Sequence, residues 1–339
     1  MTDLFERSMN KWNTLLLETS LQTGLNLGRP AYICAKMTMR CNSRCAHCNI
    51  WDMEYHEQEL TTGQWFRILD QLRDWLGRFH MTFTGGEALL RDDMPSILQH
   101  AVGLGIRVEL LSNGIMLDEP LATRLAAIGI DRITISYDGV TSEVHDRFRG
   151  GDGYHAATRA AIVALNRHRR HATAPLQILL KTVISANNLH EISGIAQWAE
   201  ENDLNVQYQP IEQNYGEQPD PQWYKGNPLW ITDLAALRTA LDELHQVKTV
   251  GSAIVNNAAD FERFYRYFED PETLMTSIQA HSAKDGKGMC TGMGNFVISS
   301  NGDVRMCFRM EPFGNIADTS PREVWRNRKR CWVGACGFR

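Results

Sequence analysis

The stretch MTMRCNSRCAHCNIW, residues 37–51, contains three cysteines within eight positions. Cys41, Cys45 and Cys48 have the spacing C-x3-C-x2-C, and no fourth cysteine lies nearby to complete a tetrahedral metal site. Structural zinc sites favour paired C-x2-C halves and four closed ligands. The loop therefore predicts either an iron–sulfur cluster that keeps one iron open, or a zinc ion capped by an outside ligand such as His47 or Asn49.

The remaining cysteines also point to metal binding. Four of them lie from residue 290 onward, and the chain between Cys48 and Cys290 contains none. In a reducing compartment, clustered cysteines are more often metal ligands than disulfides. Cys34 stands alone in a strand-like run, where a small buried hydrophobic residue is expected. The tail cysteines are Cys290, Cys307, Cys331 and Cys336.

The composition is that of a globular protein. The chain has 339 residues, of which 43% are hydrophobic and 22% charged, enough for a sizeable core. A net charge of −5 offers no overall basic surface to nucleic acid or to an anionic membrane. The first residues lack the apolar run of a signal peptide, and no run approaches the roughly 18 apolar residues of a membrane span. We expect a cytoplasmic protein without a nucleic-acid or membrane partner.

Strand-like runs alternate with helical segments from about residue 31. This regular alternation predicts an α/β fold with a parallel sheet and right-handed crossovers. Three of the runs end in TGGE, SNG and SYDG, at the strand ends where parallel α/β folds bind ligands, although turn chemistry alone also favours these residues there. The six runs are residues 31–38, 80–87, 107–114, 132–139, 176–184 and 204–211.

The cysteine loop CNSRCAHC resembles the signature loop of radical S-adenosylmethionine (radical SAM) enzymes. In that family the loop follows the first strand of a partial (β/α)6 TIM-like barrel. The resemblance implies a [4Fe–4S] cluster on Cys41, Cys45 and Cys48, whose open iron binds S-adenosylmethionine. In the family, an electron from the cluster cleaves this cofactor, and the resulting 5′-deoxyadenosyl radical abstracts hydrogen from a substrate.

A second motif carries the resemblance further. TGGEALL is similar to the family's glycine-glycine-glutamate motif, which contacts the amino group of the cofactor. This assigns Gly85, Gly86 and Glu87 to the cofactor, although the family more often has proline at the position of Ala88. His47 occupies the place of the residue next to adenine.

Two later motifs complete the implied cofactor site. Ser112 and Asn113 match positions that reach the ribose. Ser136 and Arg149 match positions that hold the methionine carboxylate, and a guanidinium suits a carboxylate. Asp138 is expected to shape its own loop. We assign no catalytic residue, since Tyr137 and the carboxylates of the middle segment are base candidates without support.

The tail resembles a truncated SPASM domain, known as a twitch domain. Its opening has the pattern C-x11-G-x4-C from Cys290 to Cys307, and NFVISSNGDVRMC predicts a hairpin with an Asn-Gly turn. Four cysteines complete one cluster, so the resemblance implies one auxiliary [4Fe–4S] cluster that also uses Cys331 and Cys336. A structural zinc site on the same four residues is the alternative.

Four segments are predicted along the chain. Residues 1–30 form an N-terminal helix, residues 31–212 the partial barrel, residues 213–289 a helical bridging segment, and residues 290–339 the twitch-type domain of hairpin and helix. In the bridging segment, Phe261, Phe264 and Tyr267 are expected to make core contacts.

The resemblance implies an oxidoreductase, because an auxiliary cluster can take an electron from a substrate radical. The expected reaction is an oxidative modification of a ribosomally synthesised peptide, such as a cross-link, an epimerisation or a cleavage. A sugar or natural-product precursor is the alternative substrate, for a dehydrogenase or decarboxylase. A non-catalytic iron–sulfur or zinc protein is a further alternative. Expected partners are an electron donor such as flavodoxin or ferredoxin and a separate leader-peptide-binding protein.

Overall fold

The structure is a computed structural model. It describes residues 2–23, 25–53, 58–169, 175–214, 217, 220, 222–272, 294–307 and 311–328, with the backbone alone for 2–10, 21 and 22. The chain divides into two compact units. The first comprises Met1–Met39, Glu54–Val108 and Gln279–Arg339, and the second comprises Arg40–Met53 and Glu109–Ile278. Among the described residues, no helix combines the length and apolarity that a membrane crossing requires.

The first unit contains a sheet whose strands run in the order β2-β1-β7-β8-β9. Strand β1 is parallel to both β2 and β7, whereas β7, β8 and β9 pair antiparallel. The strands are β1 (Tyr32–Lys36), β2 (His80–Thr84), β7 (Asn295–Ile298), β8 (Asp303–Arg305) and β9 (Gly314–Asn315). The helices are α1 (Thr2–Thr23), α2 (Thr62–Leu76), α3 (Met94–Gly103) and α10 (Pro321–Arg326).

Helix α2 shows how local sequence fixes an element of this unit. The hydroxyl of Thr61 accepts from the backbone N–H of Gln64, and the Gln64 side chain accepts in return from Thr61 N, which forms a capping box. The apolar residues then recur at helical spacing and are fully buried, so that one stripe of the helix faces the core. These residues are Trp65, Ile68, Leu69 and Leu72.

The second unit contains a parallel sheet in the order β6-β5-β4-β3. Strand β3 (Arg107–Ser112) begins at the boundary of the units, and β4 (Arg132–Ser136), β5 (Gln177–Ile184) and β6 (Asn205–Pro210) follow. The helices are α4 (Glu119–Ile128), α5 (Ser142–Arg149), α6 (Tyr154–His168), α7 (Ile192–Glu201), α8 (Leu234–Val250) and α9 (Ala258–Glu269).

The two faces of this second sheet differ in polarity. Ile135, Leu180 and Val206 form one register row across β4, β5 and β6, and all three are fully buried. The next row contains Ser136, Lys181 and Gln207, which are only partly buried. Because successive side chains of a strand point to opposite faces, the polar row lies on the face opposite the apolar core. We call this face the inner face.

The elements predicted from the sequence are confirmed where the structure describes them. All six strands of the alternating pattern form, and the α/β fold with a parallel sheet is confirmed. Phe261 and Tyr267 are buried and Phe264 is partly buried, and Cys34 is buried within β1. The boundaries of the four predicted segments stay predictions.

The hairpin in the tail has a position that the sequence did not predict. Its first strand, β7, pairs in parallel with β1, and Ile33, Cys34 and Ala35 lie opposite Phe296, Val297 and Ile298. An unpaired strand edge exposes N–H and C=O groups, and β7 satisfies those groups on one side of β1. The hairpin is therefore an integral part of the sheet of the first unit.

Candidate functional site

The cysteine loop, residues 40–53 in the second unit, is held by the carboxyl end of α5. Arg44 N donates a hydrogen bond to Arg149 O at 3.2 Å, and Ala46 N donates to Phe148 O at 2.9 Å. These two backbone bonds fix the middle of the loop, between Cys41 and Cys48, against the last turn of the helix. The loop is thus positioned by backbone contacts as well as by its side chains.

Gly150 allows this close approach. It ends α5 with φ +75°, and a Cβ at this position would lie 2.2 Å from the carbonyl oxygen of Arg44. Glycine tolerates this left-handed conformation and leaves room for the loop backbone.

We expect Gly150→Ala to destabilise the protein by about 2 to 4 kcal/mol, because it combines left-handed strain with a backbone clash. The control is Gly153→Ala, since Gly153 also has positive φ (+78°) but has no atom within 4 Å of a Cβ. The control is expected to cost about 1 to 2 kcal/mol. Urea unfolding of both variants measures the difference, and equal costs would contradict the role given to the Arg44 contact.

Two of the three loop thiols receive hydrogen bonds that stabilise negative charge on sulfur. Ser43 N donates to Cys41 Sγ at 3.4 Å, and Arg149 Nη1 donates to Cys45 Sγ at 3.7 Å. The thiolate is the form of cysteine that binds metal. Cys45 is buried, whereas Cys41 and Cys48 are partly buried.

Arg149 is held by a buried ion pair. Its Nη2 donates to Asp138 Oδ2, and Asp138 Oδ1 accepts from Val183 N at 2.8 Å. The carbonyl of Asp138 also accepts from Asn188 Nδ2 at 3.0 Å. Asp138 thus organises its own loop, as the sequence predicts, and orients Arg149 towards Cys45. A role of Arg149 at the methionine carboxylate stays a prediction.

His47 lies flat against Phe148, with ring centroids 4.5 Å apart and an interplanar angle of 12°. Burial, together with the charge of Arg149, lowers the pKa of His47 to about 3. The imidazole is therefore neutral at physiological pH, which suits a stacked ring better than a charged one.

Asn113, which follows β3, joins the cysteine loop. Its Nδ2 donates to Asn42 Oδ1 at 2.7 Å and to Ser43 Oγ at 3.1 Å. Ser112 Oγ accepts from Gly114 N at 3.0 Å and shapes the same turn. The structure therefore brings together three predicted cofactor residues, His47, Asn113 and Arg149, around the loop. Ser136 lies at the end of β4 and is partly buried.

Polar atoms at the loop offer a site for a polar ligand. In the described part of the chain, five buried polar side-chain atoms have no hydrogen-bond partner, and three of them belong to His47 (Nδ1), Asn49 (Oδ1) and Arg149 (Nε). Buried polar groups are normally paired, so orphaned groups at one place indicate a missing partner. Together with three thiols, these atoms fit a cluster and a polar cofactor.

No three His, Cys, Asp or Glu side chains among the described residues are placed to chelate a single metal ion. In a cubane cluster each thiolate binds a different iron, so the three sulfurs converge on one cluster and not on one ion.

The glycine-glycine-glutamate motif lies in the first unit. Gly85 has φ +146°, and a Cβ there would lie 2.3 Å from the carbonyl oxygen of Thr38. Gly86 N donates to that same oxygen at 2.8 Å. Glu87 is buried, and its Oε1 accepts from Leu89 N at 3.0 Å. The motif thus packs its backbone against the residues that follow β1.

Arg91 is a supporting residue outside the motifs of the sequence. Its guanidinium is buried and donates to Met37 O at 3.2 Å and to Leu60 O at 3.0 Å. It also pairs with Asp93 at 2.7 Å and with Glu59 at 3.2 Å. Arg91 therefore ties the turn after the motif to the end of β1. The only sequence signal is its place four residues after Glu87.

Tyr137, considered as a base, has its side chain buried with the rings of α6 and α7. Its ring lies 4.9 Å from that of Trp198, and its hydroxyl is 3.2 Å from His155 Nε2. Burial raises the pKa of Tyr137 to about 12. Its hydroxyl is therefore a weak proton donor, and the phenolate that could act as a base is rarely present at physiological pH.

The tail cysteines are described only in part. Cys307 follows β8 and is partly buried. The other three predicted ligands of the auxiliary cluster, Cys290, Cys331 and Cys336, lie outside the described residues.

Two family models match the chain. The model of the radical SAM superfamily covers residues 36–178, which include the cysteine loop and the TGGE, SNG and SYDG motifs. The SPASM model, an iron–sulfur cluster-binding domain, covers residues 290–339, which include all four tail cysteines.

Several known proteins are similar to the chain. The AdoMet-dependent heme synthase of Methanosarcina barkeri is 29% identical over 307 residues, 88% of this chain and 82% of that protein. The PqqA peptide cyclase of Granulibacter bethesdensis is 32% identical over 164 residues, 48% of this chain. The chain spans only 42% of the cyclase's length.

A solved structure shows the same fold. SuiB of Streptococcus suis, bound to the precursor peptide SuiA, has a TM-score of 0.63 at 17% identity, over 88% of this chain and 65% of that one. At this identity the likeness shows the fold alone, which is the predicted α/β partial barrel.

Proposed function

Because the chain belongs to the radical SAM superfamily and ends in an iron–sulfur SPASM domain, we propose that it oxidatively modifies a ribosomally synthesised peptide. The three thiols of the loop, together with the orphaned polar atoms around it, carry the radical SAM chemistry of this proposal. The cofactors are S-adenosylmethionine, its [4Fe–4S] cluster and an auxiliary iron–sulfur cluster in the tail.

Cys41, Cys45 and Cys48 would hold the first cluster, which when bound supplies the electron that cleaves S-adenosylmethionine to a 5′-deoxyadenosyl radical. Arg149 would stabilise the Cys45 thiolate through its hydrogen bond and would offer its unpaired Nε to the cofactor. His47 would present a neutral, flat ring beside adenine.

The remaining cofactor contacts are proposed from the motifs. Gly85 leaves room for the Thr38 carbonyl oxygen, and Gly86 N donates to that oxygen, so both glycines fix the turn that precedes Glu87. The proposed contacts to the amino group, ribose and carboxylate of the cofactor come from Gly85, Gly86, Glu87, Ser112, Asn113 and Ser136. The proposed ligands of the auxiliary cluster are Cys290, Cys307, Cys331 and Cys336.

The peptide substrate is supported by what two similar proteins act on or bind. One is named as a cyclase of the peptide PqqA, and the other was crystallised with a precursor peptide. The segments 1–30, 31–212, 213–289 and 290–339 are our proposed domains. We further propose an oxidoreductase of the cytoplasm that takes electrons from a flavodoxin or ferredoxin, with a separate leader-peptide-binding protein.

A small-molecule substrate is the second candidate. The match to the heme synthase extends over 88% of this chain, further than the match to the peptide cyclase. By its name that relative makes a small molecule, heme, so the assay must compare both substrate classes.

The expected result is formation of 5′-deoxyadenosine by the anaerobically reconstituted protein with S-adenosylmethionine and dithionite. Short peptides encoded beside its gene are then added, and a loss of hydrogen atoms from one of them is followed by mass spectrometry. Reactions without the reductant serve as the control. If protein with intact clusters forms no 5′-deoxyadenosine, the proposed enzymatic activity is contradicted. If it cleaves S-adenosylmethionine but modifies only a small molecule, the second candidate is favoured.

A further inference from the structure

The inner face of the second sheet carries a polar row next to the proposed cofactor site. Ser136, Lys181 and Gln207 are register partners on neighbouring strands, and strands lie about 4.8 Å apart. Ser136 is a proposed cofactor contact, so Lys181 lies one strand away from it. A group bound by Lys181 is therefore held beside the cofactor.

The charges around Lys181 are not matched by close partners. Glu109 Oε1 is 3.8 Å from Arg132 Nη1 and accepts from Thr134 Oγ1 at 2.7 Å, so its charge is already engaged. No described residue forms a hydrogen bond with the Lys181 ammonium. No described carboxylate oxygen lies within 4.0 Å of its Nζ, the distance of an ion pair. Glu109 and Glu212 act on it only at longer range.

A partly buried ammonium without an ion pair is unfavourable, because it loses part of its hydration without gaining a partner. Burial accordingly lowers the pKa of Lys181, while Glu212 and Glu109 oppose the shift. A ligand carboxylate would restore the missing partner. Such a charge-assisted bond is among the stronger hydrogen bonds that a binding site offers.

We propose that Lys181 binds a carboxylate of the substrate and so selects substrates with an acidic group close to the reacting position. This inference rests on the proposed function. In a peptide the acidic group is the side chain of Asp or Glu, and in a small molecule it is a free carboxylate. Gln207, on the other side of Lys181, offers an amide to the same group.

The test compares two probes that differ only in charge, N-acetyl-L-glutamate N-methylamide and its glutamine analogue. Each is titrated calorimetrically into the reconstituted holoenzyme with S-adenosylmethionine bound. We expect wild type to bind the acidic probe about tenfold more tightly. Lys181→Met removes the positive charge and is expected to reduce this ratio to about one. Lys181→Arg keeps the charge and is expected to retain a preference for the acidic probe.

Lys225→Met is the matched control, since the Lys225 side chain in the same unit is 53% exposed and pairs with Glu272. The control should keep the wild-type ratio. If Lys181→Met does not fold, Lys181→Gln is used in its place. Sodium propionate, as competitor, separates a small acid from a peptide side chain. Competition as strong as that of the glutamyl probe indicates the small acid.

Three outcomes overturn the inference, namely equal affinity of the two probes for wild type, no detectable binding, or an unchanged ratio in Lys181→Met. Cleavage of S-adenosylmethionine by wild type is measured separately. If wild type cleaves the cofactor and shows no charge preference, the proposed function stands and the role of Lys181 fails. If it shows the preference without cleavage, the opposite holds.

Discussion

Replacing Cys45 with alanine is expected to abolish cleavage of S-adenosylmethionine while the tail keeps its iron. Cys45 is buried and receives the Arg149 hydrogen bond, so its loss removes both a ligand and its electrostatic support. Mutation of a residue that only supports a metal ligand typically costs about 10- to 100-fold in activity. Loss of the ligand itself should cost more, so we expect 5′-deoxyadenosine formation to fall by more than about 100-fold. Iron should fall from about eight to about four atoms per chain.

Cys34→Ala is the control for this experiment, because Cys34 is also buried but lies within β1, outside the loop. It should keep both iron and activity. Retention of all the iron in Cys45→Ala would contradict the assignment of the loop. Zinc instead of iron in the variant would show a structural metal site in the tail. A redox-neutral reaction would then be favoured over an oxidative one.

Arg149→Met is expected to destabilise the protein by about 3 to 5 kcal/mol, because it leaves the Asp138 carboxylate buried without its partner. Arg147→Met on the same helix is the control. Arg147 is exposed and donates to Asn187 Oδ1 at 2.7 Å, so its loss should cost about 1 to 2 kcal/mol. Urea unfolding of the two variants measures the difference.

A double variant tests the cause of this effect. Asp138→Asn combined with Arg149→Met removes both charges, and we expect it to recover much of the lost stability, since neutral replacements of buried pairs are often tolerated. Equal costs for Arg149→Met and Arg147→Met would show that the ion pair does not hold α5 and its loop.

The strands and the cysteine loop were predictable because their signals are local. The alternation of apolar runs and helices specifies each element within a few residues, and the loop spacing is contiguous. The partner of β1 was not predictable in this way. The pairing of Ile33 with Phe296 joins residues far apart in sequence, and the local sequence of neither strand specifies its partner.

The site was predictable for residues in motifs and not for their supports. Arg149 was assigned to the cofactor, but its ion pair with Asp138 and its hydrogen bond to Cys45 depend on how α5 packs. The role of Lys181 was not predictable for a different reason. It lies inside the run LQILLKTVI, which is typical of a strand buried on both faces, and only the register shows that it lies on the inner face.

The pairing of β1 with β7 also bears on how the protein folds during synthesis. A ribosome produces β1 early, but the strand that covers one of its edges ends at Ile298. Until that residue has emerged, the edge of β1 presents unpaired backbone groups to other chains. The first unit therefore closes late, through contacts of long sequence separation that form slowly. Chaperone binding at β1 would protect the nascent chain during that interval.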